Sequence, residues 1–125
     1  MKKHNPPSTT AVFKADPEEH DFPAAQDYLE LVFEPEKAKL LAGALKDAAT
    51  VTKKAKDIFR ASGLPLLPKS NVHVQENLRK FKKKQKLSPI LLTRGHEKLI
   101  IADGYHRLCA AIYLTEDLNI PCRLV

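Results

Sequence analysis

The chain has 125 residues, 43% hydrophobic and 29% charged, which is enough apolar material for one core and too little length for several domains. No run approaches the roughly 18 apolar residues of a membrane span, and Met1-Lys2-Lys3 leads into His4-Asn5-Pro6-Pro7 instead of an apolar signal core, so a cytoplasmic protein without a membrane partner is expected. The formal charge of +6 is unevenly held: residues 1–62 carry ten basic and ten acidic side chains, residues 63–125 eleven and five, which points to a phosphate- or carboxylate-bearing partner for the second half.

Residues 1–20 mix prolines, charges and hydroxyls without apolar periodicity and read as an arm, disordered or laid on the surface. Residues 21–57 read as a helical extension. Asp21 is the candidate cap of its first helix, with Ala24, Tyr28, Leu31 and Val32 on one face. In the second helix Pro35 suits a first turn, and Leu40, Leu41, Ala44 and Leu45 make the apolar stripe. TVTKKA is short and partly β-branched, a candidate strand, and AKDIFRASG reads as a helix stopped by Gly63.

Residues 58–125 make the expected core domain. The prolines of LPLLP restrict it to an edge or irregular strand. Asn71 then opens a helix with Val74, Leu78 and Phe81 at helical spacing. SPILLTR and KLIIAD are strands joined through Gly95-His96 as a hairpin; residues 104–114 form a helix, and NIPCRLV a closing strand. Helices and strands interleave without a regular βαβ rhythm, so the predicted class is α+β with a small mixed sheet. Cys109 and Cys122 offer neither a disulfide framework nor a zinc-ligand spacing and read as small core residues, so no structural metal is expected. GxxxxGK[ST], GxSxG and HExxH are all absent, which leaves P-loop, α/β-hydrolase and zincin chemistry without support.

The stretch IIADGYHRLCAAIYL, residues 100–114, passes from strand to helix through Asp103-Gly104. A helix that starts there leaves its first N–H groups unpaired at the positive end of the dipole, a place suited to an anion. Gly104 allows close approach, and His106 and Arg107 add donors, Arg107 as a two-pronged phosphate ligand. Two readings of Asp103 stand side by side: a helix cap, or a carboxylate that accepts a proton from a substrate hydroxyl or helps hold Mg2+ beside a bound phosphate. Tyr105 suits stacking on a base and covering the core equally well.

RKFKKKQK places Arg79, Lys80, Lys82, Lys83, Lys84 and Lys86 around Phe81. As a functional element the run is a DNA-binding surface that acts by releasing counterions; as a structural one it is the solvated face and tail of a helix. Lys84 and Lys86 are also within chain reach of a phosphate at Arg107. Ser88, before Pro89, is a turn residue or a phosphate contact, and His73 and His96 read as surface histidines.

Residues 86–125, from KLSPILL through IIADGYHR to NIPCRLV, resemble the ParB/sulfiredoxin superfamily in the order of a Pro-Ile-Leu strand, a hairpin, a Gly-x-x-Arg box, an alanine-rich helix and an Ile-Pro strand. Residues 58–85 resemble it loosely, and residues 1–57 match nothing. The resemblance implies a ParB/sulfiredoxin-like fold and nucleotide phosphates bound by Gly104, Tyr105, His106 and Arg107, with ATP, ADP or CTP and Mg2+ as the candidate cofactors. Sulfiredoxins carry Gly-Cys-His-Arg, and Tyr105 stands where their reactive cysteine would be, so sulfinic acid reduction is not expected. Partition proteins carry Gly-Glu-Arg-Arg-x-Arg, of which only Gly104 and Arg107 match. The closest box is the Asp-Gly-His-His-Arg of free serine kinases, matched by Asp103, Gly104, His106 and Arg107. In those kinases the aspartate works with an upstream glutamate, which has no clear counterpart here: Glu76 lies in the loosely matched region, on an expected helix whose facing the sequence leaves open. The resulting expectation is a domain that binds a nucleotide or phosphorylated small molecule, with Asp103 as the catalytic candidate for a phosphotransferase or phosphohydrolase. The alternative is a nucleic-acid-binding module working through the run 79–86.

Overall fold

The structure is a computed structural model that describes residues 9–125. In chain order the elements are α1 (Thr9–Val12), α2 (Asp21–Leu29), α3 (Pro35–Asp47), β1 (Val51–Lys54), α4 (Ala55–Ser62), α5 (Val72–Lys82), β2 (Ile90–Arg94), β3 (Leu99–Asp103), α6 (Tyr105–Leu114) and β4 (Asn119–Leu124). The fold is α+β, as the mixed pattern predicts.

β2 is apolar at consecutive positions, which a strand tolerates where both faces of its sheet are covered. It lies inside the order β1-β4-β2-β3, antiparallel to β3 and parallel to β4, while β1 pairs antiparallel with the other edge of β4. Side chains alternate between the two faces. Ile90, Leu92, Ile101, Ile120 and Cys122 meet Ile58, Val74, Phe81 and Leu108 from α4, α5 and α6. Leu91 and Ala102 meet Phe22, Ala25, Leu29, Ala38 and Leu45 from α2 and α3. The sheet is therefore packed between two helical layers.

Several local expectations hold. Asn71 caps α5 by accepting the N–H groups of His73 and Val74, and Gly63 ends α4 in the left-handed region at φ 66°. SPILLTR and KLIIAD form the hairpin, and both cysteines are buried, their thiol pKa values pushed up by burial, that of Cys122 to about 11. Among the described residues no helix is long and apolar enough to cross a membrane.

Other expectations are corrected. α2 buries Phe22, Ala25 and Leu29, while Ala24, Tyr28, Leu31 and Val32 face outward; α3 buries Ala38, Ala42 and Leu45, leaving Leu40 and Ala44 exposed. The expected α3 stripe holds at Leu41 and Leu45 and fails at Leu40 and Ala44; where the two helices press against each other and the sheet, Ala25, Ala38 and Ala42 share the contact with Leu29 and Leu45. Asp21 is buried and accepts the Glu18 N–H at 2.8 Å, and the cap position of α2 belongs to His20 without a side-chain bond. Residues 64–68 form no strand. Their carbonyls instead take hydroxyl donors from α6, Tyr105 Oη donating to Pro65 O and Tyr113 Oη to Leu67 O at 2.7 Å. Residues 1–8 of the expected arm lie outside the described residues. Of the rest, Val12 and Phe13 enter the core, Phe13 2% exposed and bridged in parallel to Leu87, while residues 14–20 lie on the surface.

Arg123 on β4 joins the α2–α3 layer to the sheet. Its guanidinium donates to the Leu45 and Lys46 carbonyls at 3.2 and 2.8 Å, to Thr50 Oγ1 at 3.1 Å, and pairs with Asp16 Oδ1 at 3.3 Å. Two of these acceptors are carbonyls of the last turn of α3, where the helix ladder runs out and Leu45 O otherwise accepts only the long 3.4 Å bond from the Ala48 N–H. A lysine ammonium cannot reproduce that fork. Arg123→Lys is expected to lower unfolding free energy by about 1.5–3 kcal/mol, read from the urea midpoint at unchanged slope.

Candidate functional site

The passage from β3 to α6 begins with a register shift between Leu91 and Leu92, beside the pair Leu91 and Asp103, and ends with Gly104 at φ 109° and ψ 19°. This is a left-handed conformation that glycine adopts without penalty. Space reinforces the choice, because a Cβ at Gly104 would lie 2.9 Å from Arg107 Nη2 and 3.1 Å from Ile90 Cδ1. Gly104, not Asp103, is the N-cap; its carbonyl accepts the Leu108 N–H at 2.9 Å, and no side chain caps the helix. The capping reading of Asp103 is thereby corrected. The N–H groups of Tyr105, His106 and Arg107 have no acceptor among the described residues.

Asp103 instead ends β3 and pairs with Arg107, Oδ2 to Nη2 at 2.7 Å, each side chain 18% exposed. The same Nη2 donates to the Pro89 carbonyl at 3.2 Å, and Arg107 Nε is buried without an acceptor among the described residues. One guanidinium thus ties α6 to β3 and to the segment entering β2, and its charge is already balanced by a carboxylate.

His106 packs edge-on against His73 of α5 with ring centroids 4.9 Å apart, and Tyr105 lies beside it at 5.7 Å. Burial, and then the neighbouring His73, hold the His106 pKa below its ordinary value, so the ring is neutral near pH 7. Burial raises the Tyr105 pKa, and its hydroxyl is occupied by the strap at Pro65, so it serves to cover the core and to form one wall of the site.

These residues enclose a cleft of about 260 Å3 lined by His73, Glu76 and Asn77 from α5 and by Asp103, Gly104, Tyr105, His106 and Arg107. The structure therefore brings together all five residues of the DGYHR box and adds three from α5. His73 and Asn77 were not among the sequence candidates. The signal was present in the spacing of 73, 76 and 77, which shares one helical stripe offset from Val74, Leu78 and Phe81. Ser88 and Lys86 do not line the cleft: Ser88 is buried and Lys86 exposed, and it is Pro89 that reaches Arg107.

The basic run is divided. Arg79, Lys80 and Lys83 line a second groove of about 380 Å3 with Glu76 and Gln85, whereas Lys82, Lys84 and Lys86 project outside it. Phe81 is in the core, edge-on to Phe13 at 6.1 Å, and unavailable to stack on a base. A larger cavity of about 450 Å3 between α2 and α3 is lined by Phe22, Pro23, Ala42 and Gly43 together with Glu19, Asp27, Lys39 and Lys46, and includes no residue of the DGYHR box. No group of three His, Cys, Asp or Glu side chains able to hold a metal converges among the described residues.

Comparisons with family models, with curated proteins and with solved structures gave no match.

Two outcomes follow from the geometry. Gly104→Ala is expected to lose about 1–2 kcal/mol from the backbone alone, read as a lower denaturant midpoint, with further loss from displacing Arg107. Because the folded His106 pKa lies below 6.5, the unfolded chain binds the proton more readily, so stability is complete above that value and falls as the solution is acidified through it. The drop in melting temperature between about pH 8 and pH 5 should be smaller in His106→Gln than in the unsubstituted protein; an equal drop would show that His106 does not contribute.

Proposed function

We propose that the chain is a ParB/sulfiredoxin-like domain that binds the phosphate of a nucleotide or other phosphate ester at the start of α6. The observation that carries this reading is the set of Tyr105, His106 and Arg107 amides, without acceptors among the described residues, at a cleft whose cap residue has no side chain. Amides at a helix start are fixed donors with no reorganisation to make, and they favour negative oxygen. A cleft of about 260 Å3 falls below the range of roughly 300–1,000 Å3 for whole small-molecule pockets, which suits a phosphoryl group held inside with the rest of the ester outside.

Arg107 contributes a guanidinium shared with Asp103, and His106 a neutral imidazole donor. A bound dianion would raise the His106 pKa, so binding should take up protons below neutral pH. We extend the proposal to phosphotransfer or phosphohydrolysis, with Asp103 at the transferred group and Glu76, 56% exposed and in the same cleft, as the second carboxylate. Mg2+ accompanying a nucleotide would rest on phosphate oxygens and one of these two carboxylates, which is the usual manner of its binding. Sulfinic acid reduction is not proposed. Cys109 is buried with its pKa raised, and no cysteine lines the cleft.

The test is a thermal-shift panel of ATP, ADP, CTP and a simple phosphate monoester, each with and without Mg2+. At about 100 times Kd a ligand is expected to add about 2.7 kcal/mol, a rise of several degrees for a chain of this size. Arg107→Lys, which keeps the charge but not the fork, should reduce the rise. No shift with any of them would overturn the reading.

A further inference from the structure

The stripe of α5 that faces the cleft does not end there. His73, Glu76 and Asn77 line the cleft, and Glu76, Arg79, Lys80 and Lys83 line the groove beside it, so Glu76 lies on the rim of both. Positions 73, 76, 80 and 83 follow one another at three or four residues, a continuous line about 15 Å long at a rise of 1.5 Å per residue. Arg79, Lys80 and Lys83 take part in no ion pair among the described residues, although lysines elsewhere on the surface do, such as Lys46 with Glu19 and Lys56 with Asp117. Three unneutralised cations in a concave groove attract an anion more strongly than the same charges on a convex face.

We propose that the ligand is a single nucleic-acid strand whose terminal phosphate monoester sits at the start of α6 and whose following phosphodiesters lie along Arg79, Lys80 and Lys83. This rests on the phosphate-site reading above. Arg79 and Lys83 stand four residues apart, about 6 Å along the helix, with Lys80 between them. That is wider than directly linked phosphoryl groups, which share a bridging oxygen, and leaves room for the sugar between phosphates. The groove lining, Glu76, Arg79, Lys80, Lys83 and Gln85, holds no aromatic ring, and Phe81 is in the core. Recognition along the groove is therefore of the backbone, without base stacking and without sequence preference. Glu76 opposes the track where the two compartments meet, so removing its charge should tighten binding.

Fluorescence anisotropy with a short single-stranded oligonucleotide carrying a phosphate at its 5′ end, at its 3′ end, or at neither tests the proposal. One phosphorylated form should bind about fivefold or more tightly than the unphosphorylated strand, and Glu76→Gln should strengthen it. Replacing Arg79, Lys80 and Lys83 together by Gln should weaken strand binding more than tenfold and lower the salt slope by about 2, while leaving binding of a phosphate monoester unchanged. These positions are exposed, and the melting temperature of the variant reports whether it is folded. Equal binding of all three strands, or an unaffected triple variant, overturns the proposal. So does tripolyphosphate competing as well as the phosphorylated strand. If the monoester binds and no strand does, this inference falls and the phosphate site stands; if the monoester fails as well, both fall.

Discussion

The arrangement of the second half of the molecule depends on where one guanidinium goes. Arg107 leaves the first turn of α6 and folds back to Asp103 and to the Pro89 carbonyl, so that the end of β3, the start of α6 and the entry to β2 share a single cation. Gly104 makes this possible because any Cβ there would occupy the space that Nη2 takes. A pair this little exposed is costly to break from one side, since either partner alone would be left charged in a poorly solvated place. The box thus has a structural role that precedes any role with a ligand.

That pairing also changes the electrostatic account of the site. Read from residue types alone, the helix start combines an arginine, a histidine and free amides, a strongly positive set. In the folded chain the arginine is balanced by Asp103 and the histidine is neutral near pH 7. What remains positive is the amide set and the helix dipole, a fixed and modest field. The cations without an ion pair among the described residues stand one groove away on α5. A phosphate at α6 is thus selected by geometry, and Arg79, Lys80 and Lys83 supply the attraction for a ligand that extends along their own groove.

Much of this was legible in the sequence, and the failures have identifiable causes. The hairpin, the Asn71 cap and the Gly63 stop depend on residues within a few positions of each other, and each appears in place. The inner face of α2 and half of that of α3 escape the pattern because they depend on how closely the helices approach: Leu41 and Leu45 turn inward as expected, while Ala25, Ala38 and Ala42 take the contact and Leu40 does not. Asp103 looked like a cap because caps are assigned from local chemistry, whereas its partner lies four residues on and competes successfully for the carboxylate. The facing of Glu76, the role of His73 and the division of the basic run are consequences of how α5 docks on α6, and no short-range pattern encodes that docking. His73 was the accessible exception, since its spacing with Glu76 and Asn77 already described one stripe.

The central claim concerns three backbone amides, and they can be observed directly. In a two-dimensional amide NMR titration with a simple phosphate monoester, the Tyr105, His106 and Arg107 resonances are expected to move together and saturably, with Gly104 following and the α2–α3 amides still. Movement confined to lysine-bearing segments of the surface, with those three resonances fixed, would contradict the account.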